Sequence, residues 1–135
     1  MSDIVTNSSS EVFLIENNDA SDEFFKEHRW WQNTFNTIED VKKYVMDPDN
    51  NLEALEHLSC VEWLDFDWEY IIPTLKLHKT DDEIWEFFKF KFEKLVGKSI
   101  VVIDNNYTDD LLTDIRVFNM KDENKKVKVI EYEGY

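Results

Sequence analysis

Two side chains that could form a nucleophilic pair, His57 and Cys60, lie three residues apart near the end of a predicted helix. A histidine can take the proton from a thiol, but catalysis also requires a group that orients the imidazole and donors that stabilise an oxyanion. The sequence indicates neither, so a small buried thiol is the competing interpretation. A structural zinc site needs four ligands, and the other histidines, His28 and His78, stand at no recognised spacing.

A run of oxygen-bearing side chains follows the second predicted helix, with Asp47, Asp49 and Asn51 at alternate positions, as in the first half of a calcium loop. Leu52 stands where that loop needs glycine, and Leu58 stands where it needs a bidentate glutamate. We therefore expect a solvated turn. With thirty acidic residues in the chain, a pair of carboxylates does not by itself indicate a catalytic site. Two glycines are too few for a Gly-rich phosphate-binding loop. We predict no enzyme activity, no cofactor and no metal.

The elements that position these side chains follow from composition and periodicity. The chain has 135 residues, 42% of them hydrophobic, which is enough for one packed domain over 1–135, and we expect residues 1–11 to form a flexible lead. Helices are predicted at 19–35, 38–46, 50–58 and 81–96. Strands are predicted at 12–15, 64–70, 99–104, 115–120 and 126–132, the last two as a terminal hairpin. We expect an α+β domain, with helices mainly in the N-terminal half and one long helix at 81–96, packed on a largely antiparallel sheet of four to five strands.

The helix at 81–96 has the clearest boundaries. Thr80 and Glu83 have the spacing of a capping box, in which each side chain satisfies a backbone amide of the other residue. Gly97 supplies the left-handed stop. The predicted core stripe of this helix comprises Ile84, Phe87, Phe88 and Leu95, while Trp85, Phe90 and Phe92 widen its apolar surface.

The N-terminal run Val5-Thr-Asn-Ser-Ser-Ser10, followed by Phe13, resembles the start of a loose group of uncharacterised bacterial and phage proteins. The resemblance implies a prokaryotic or viral source and carries no activity. One cysteine excludes an internal disulfide, and neither a signal-peptide core nor a long apolar run is evident. We therefore expect a cytoplasmic protein that does not enter a membrane.

Negative charge is concentrated in the first half of the sequence. Residues 1–69 hold 17 acids against four bases, whereas residues 70–135 hold 13 acids against 11 bases. On the predicted strand 64–70, Asp65, Asp67 and Glu69 would project from one face about 6.6 Å apart, because the rise is roughly 3.3 Å per residue. Such a row could imitate a phosphate track. The alternative is a solvated strand face that discourages edge-to-edge aggregation.

These patterns favour a small acidic phage or bacterial protein that binds and inhibits a nucleic-acid-handling protein, such as a host defence nuclease, by presenting a nucleic-acid-like surface. Direct binding to nucleic acid is opposed by the net charge of -15. The alternative is a protein-interaction or assembly module with an aromatic surface around helix 81–96. The sequence does not predict an oligomeric state. The predicted partner-binding residues are Asp65, Asp67 and Glu69, with Asp19, Asp22, Glu23, Glu39, Asp40, Asp47 and Asp49 as supporting charge and Trp30, Trp63 and Trp85 as aromatic anchors.

Overall fold

The computed structural model describes residues 10–28, 30–46, 57–59, 61–64 and 67–134. The strands in these ranges are β1 (Ser10–Glu16), β2 (Gln32–Phe35), β3 (Lys98–Asp104) and β4 (Val129–Gly134). The helices are α1 (Asp19–Glu27), α2 (Ile38–Met46), α3 (Trp68–Lys76), α4 (Asp81–Phe92) and α5 (Thr108–Lys121). Short 3-10 turns lie at Glu62–Leu64, Glu93–Leu95 and Asn105–Tyr107. The predicted α+β class is confirmed.

The chain divides into two compact units. We call residues 1–34 and 98–135 the sheet unit, because they contain nearly all of the strand residues, and residues 35–97 the helical unit. The sheet unit therefore combines the two ends of the sequence. The prediction of a single domain remains a prediction.

The sheet has the strand order β2-β3-β1-β4, in which β1 pairs antiparallel with both β3 and β4. Phe13 lies opposite Val101 on one neighbour and opposite Tyr132 on the other. Since side chains alternate between the faces of a strand, Phe13 and Ile15 share one face, where they join a buried core with residues of α1 and α5.

The predicted terminal hairpin is wrong. Residues 115–120 belong to α5, and β4 pairs with β1 from the other end of the sequence. The buried residues of α5 include Leu111, Ile115 and Phe118, whose spacing of four and three is helical. The apolar side chains from Ile115 onward had suggested a strand because the window was too short to include Leu111.

The first predicted helix is too long. Helix α1 ends at Glu27, and β2 begins at Gln32 within the segment predicted to remain helical to residue 35. Its cap is Asn18, whose side chain accepts a hydrogen bond from the Ser21 amide at 2.9 Å. Tertiary pairing determines β2, in which the Thr34 hydroxyl lies 2.8 Å from the Ser99 hydroxyl of β3.

The helical unit is built around Trp68 at the start of α3. Its indole packs against Phe88 and Phe92 of α4, with ring centroids 5.0 and 4.8 Å apart. Its Nε1–H donates to the Leu64 carbonyl at 2.7 Å. Both the ring and its polar atom are thereby accommodated in the interior.

The predicted strand 64–70 is also wrong. Leu64 ends a 3-10 turn, Trp68 begins α3, and Ile72 continues it. All three are buried, and a spacing of four residues is compatible with both helical and strand periods. Pro73 lies inside α3, where it removes one backbone donor without ending the helix.

Helix α2 and the capping box of α4 are confirmed. Thr80 and Glu83 exchange the expected side chain–backbone hydrogen bonds, and Gly97 has φ +87°. Phe87, predicted to be in the core stripe, is instead 71% exposed, whereas Trp85 and Phe92 are buried. The predicted helix 50–58 lies mostly outside the described residues, as does the predicted lead before residue 10.

Candidate interaction surfaces

The described members of the predicted carboxylate row, Asp67 and Glu69, do not form it, because they do not lie on a strand. Asp65 lies outside the described residues. Asp67 is exposed immediately before α3, and Glu69 is in the first helical turn, where its carboxylate accepts a hydrogen bond from the Ser59 hydroxyl at 3.0 Å. Residues two apart at a helix start point to widely different directions, since each residue turns the helix by about 100°.

Some of the supporting carboxylates have hydrogen-bond or ion-pair partners, and others are exposed. Asp40 accepts hydrogen bonds from the Asn36 and Thr37 amides at the start of α2. Glu23 forms an ion pair with Lys125 at 3.2 Å. The exposed members among the described residues are Asp19, Asp22 and Glu39. Asp47 and Asp49 lie outside the described residues.

The charge asymmetry of the sequence does not correspond to an acidic and a neutral unit. The sheet unit contains 15 acids and eight bases, for a formal charge of -7, and the helical unit contains 15 acids and seven bases, for -8. Within the sheet unit, acids from the first part of the chain meet lysines from the last. These ion pairs are Glu16–Lys128, Glu23–Lys125 and Glu27–Lys121.

The three predicted tryptophan anchors are buried or half-buried. Trp85 is 4% exposed and stacks on Phe92. Trp63 is half-buried, with the Lys94 ammonium 6.0 Å from its ring centroid. Trp30 is half-buried and its Nε1–H donates to the Asp114 carboxylate at 3.0 Å. Trp85 is therefore excluded as an anchor in this structure.

Two exposed phenylalanine rings lie on α4, in addition to the exposed rings of Trp31, Tyr70, Tyr107 and Tyr132 elsewhere. Phe87 is 71% and Phe90 is 61% exposed. With 3.6 residues per turn, Glu83, Phe87 and Phe90 fall within about 60° of one another around α4, and Lys94 follows in the 3-10 turn that extends the helix. We call these four residues the α4 stripe. Phe87 and Phe90 lie across the helix from the buried Trp85 and Phe92. The three- and four-residue spacing of these positions indicates that they share one helix face. Because Phe87 is aromatic, however, the sequence predicts that this face is buried.

Local interactions hold Glu83 and Phe87 of the α4 stripe in place. The Thr80 amide and hydroxyl both donate to the Glu83 carboxylate, at 3.0 and 3.1 Å. These hydrogen bonds, from the amide first, lower the pKa of Glu83 below its ordinary value. The rings of Phe87 and Phe88 meet edge to face at 4.8 Å, which restricts the orientation of the exposed ring.

The remaining candidate chemistry is not assembled into a site. His57 is buried, but Cys60 lies outside the described residues, as do Asp47, Asp49 and Asn51 of the calcium-like run. Across the described ranges, no three His, Cys, Asp or Glu side chains come together as a metal site. His28 Nδ1 lies 3.5 Å from the Asp114 carboxylate, which also accepts from Trp30.

No helix in the described part of the chain is long and apolar enough to cross a bilayer. Comparisons with family models, curated proteins and solved structures found no match.

Proposed function

We propose that this chain is a non-enzymatic protein-interaction module and that Phe87 and Phe90 of the α4 stripe form the apolar centre of its contact surface. The observation that carries the proposal is their exposure, 71% and 61%, on adjacent turns of a well-capped helix. Aromatic residues are enriched in the contact centres of protein interfaces, where they bury much area while losing few rotameric states.

The exposure is selective, because the same helix buries Trp85 and Phe92 and half-buries Phe88. Trp85 and Phe92 are 4% and 0% exposed, and Phe92 packs against Trp68. Burying a phenylalanine is worth roughly 1.5–3 kcal/mol relative to exposure, so the two exposed rings leave a substantial free energy available to a partner. The negative charge of both units then serves solubility.

The test compares two matched double variants in binding. Phe87→Ser/Phe90→Ser removes two exposed apolar side chains of α4, and Val117→Ser/Met120→Ser removes two from α5, where Val117 is 53% and Met120 is 79% exposed. Proteins captured by the wild type are identified, purified and titrated against all three forms. We expect a partner whose affinity falls at least tenfold with the α4 variant, stays within twofold with the α5 variant and does not fall as the salt concentration rises.

The proposal fails if every purified partner binds the α4 variant as tightly as the wild type. Circular dichroism and urea unfolding of each variant confirm that the fold is retained. The exposed positions make retention the expected result, since surface substitutions usually change stability by less than about 0.5 kcal/mol.

The second candidate function is the inhibition of a nucleic-acid-handling protein, possible targets including a host defence nuclease, in a phage or bacterial cytoplasm. The observation that favours it is that both units are strongly acidic and that Asp19, Asp22 and Asp67 are exposed. The row of Asp65, Asp67 and Glu69 no longer supports it. Recognition would instead use a dispersed acidic surface.

This second function has a distinct signature in salt. Affinity for the target should fall by orders of magnitude between about 50 and 200 mM salt if many carboxylates replace phosphates. Asp19→Asn/Asp22→Asn/Asp67→Asn should weaken binding while Phe87→Ser/Phe90→Ser leaves it unchanged. A salt-independent affinity, or full binding by the triple amide variant, would exclude mimicry.

A further inference from the structure

The four residues of the α4 stripe are placed symmetrically about its midpoint in the sequence, and the two end residues carry opposite charges. Glu83 and Lys94 are equidistant from the midpoint between residues 88 and 89, and so are Phe87 and Phe90. Reversing the direction of the helix therefore exchanges the acid with the base and one ring with the other. A surface with this property is complementary to itself when two copies pack antiparallel.

We propose that the α4 stripe binds a second copy of this chain about a two-fold axis that passes beside the midpoint of the stripe. This inference rests on the proposed function and names the partner. Glu83 of each copy then faces Lys94 of the other, and Phe87 of each copy packs against Phe90 of the other. The contact is isologous, so every interaction occurs twice.

The exposed pair on α5 shows that this complementarity is not a general property of the chain. Val117 and Met120 have the same spacing as Phe87 and Phe90 and are also exposed. The positions corresponding to Glu83 and Lys94 are Thr113 and Asn124, which carry no opposite charges. Of these two exposed pairs, the one on α4 is flanked by opposite charges at equal distances.

The size of the stripe predicts a weak dimer. Stable protein interfaces bury about 800 Å² on each partner, whereas four side chains of one helix face supply less. We therefore expect a Kd on the order of 10–1,000 µM. Glu86 lies beside the stripe and would approach its own copy, and each molecule carries -15. Salt weakens both this repulsion and the attraction in the two exposed ion pairs. Because the repulsion is the larger effect, moderate salt should strengthen association.

Sedimentation equilibrium of the purified full chain, from about 10 µM to 1 mM at 150 mM NaCl, measures the association. The wild type and Val117→Ser/Met120→Ser should show the same dimer constant within twofold. Phe87→Ser/Phe90→Ser should weaken it at least tenfold. A wild type that stays monomeric throughout, or an α4 variant that dimerises like the wild type, overturns the proposal.

A charge exchange tests the antiparallel arrangement separately. In a Lys94→Glu homodimer two carboxylates face each other at both ends, and in a Glu83→Lys homodimer two ammonium groups do so. We expect each variant alone to associate at least threefold more weakly than the wild type, and an equimolar mixture to form a heterodimer, because opposite charges then meet at both ends. A mixture that associates no better than its components overturns the arrangement.

The two proposals can fail separately. Glu83→Lys retains the Thr80 hydroxyl as an acceptor for the residue 83 amide, and the phenylalanine variants test association without altering the cap. A monomeric wild type that binds another purified protein through Phe87 and Phe90 would overturn self-association and preserve the proposed function. Self-association and partner binding that both persist in Phe87→Ser/Phe90→Ser would overturn both.

Discussion

In the helical unit, the Trp68 side chain both packs its ring in the core and satisfies its indole N–H with a hydrogen bond. Its ring lies against Phe88 and Phe92, and its Nε1–H donates to the carbonyl of Leu64 one helical turn earlier in the chain. A buried indole N–H without an acceptor would offset part of the free energy gained by burying the ring. The sequence Leu64-x-x-x-Trp68 thus contains both the ring and its acceptor.

Replacing Trp68 with phenylalanine should lower the free energy of unfolding by about 2–4 kcal/mol, because the change leaves a cavity and removes the donor to the Leu64 carbonyl. Urea unfolding monitored by circular dichroism measures the difference. Tyr70→Phe is the matched control, since Tyr70 is 69% exposed, and it should change stability by less than about 0.5 kcal/mol. Equal effects of the two substitutions would contradict this account of the core.

At the scale of the element, α4 is the helix whose boundaries are encoded locally. Thr80 and Glu83 cap its start, and Gly97 follows the 3-10 turn that extends its end, with a φ of +87° that other residues adopt at a cost. A Cβ at Gly97 would meet nothing within 4 Å, so its role is conformational rather than steric. Local encoding explains why the start of α4 was predictable, whereas the predicted end at residue 96 is too late, because α4 ends at Phe92 and a 3-10 turn follows it.

The capping carboxylate predicts an acid dependence of stability. Because the folded pKa of Glu83 lies below its unfolded value, its contribution is present above the unfolded value and is lost as the pH falls through the folded one. The stability advantage of wild type over Glu83→Gln at pH 7 should therefore shrink as the pH falls below the unfolded pKa of about 4.5 and vanish once the pH lies below the folded pKa. Urea unfolding across this range measures it.

Glu86→Gln is the control for that measurement, because Glu86 is exposed on the same helix and makes no contribution to the capping box. It reports the effect of removing one negative charge without disturbing the cap. A pH-independent difference between wild type and Glu83→Gln would show that the ionised state of Glu83 does not contribute to stability, and would contradict this account of the cap.

At the scale of the whole molecule, the net negative charge is divided almost equally between the sheet unit and the helical unit. The sheet unit draws residues from both ends of the chain, and its lysines at 121, 125 and 128 pair with acids near the start. A linear charge count therefore overstated the acidity of the first half in space. Each unit nevertheless retains a substantial negative excess.

That excess predicts the response of stability to salt. Repulsion among like charges destabilises a compact state, and mobile ions screen it. We expect the free energy of unfolding to increase by about 1 kcal/mol or more between 20 and 300 mM NaCl. The same series in sucrose at matched osmolality controls for preferential exclusion. Stability that is constant or falls with NaCl would show that local ion pairs outweigh the net charge.

The sequence by itself determined the α+β class, the bounds of α2 and the caps of α4, because these depend on composition, on hydrophobic spacing and on hydrogen bonds between residues three apart. Only the tertiary structure decided that β4 pairs with β1, that residues 32–35 leave the helix for the sheet, and that Trp68 begins a helix that continues through Ile72. These choices depend on partners distant in the chain. The same reason applies to Phe87 and Trp85: both are apolar by composition, but packing alone places one in solvent and the other in the core.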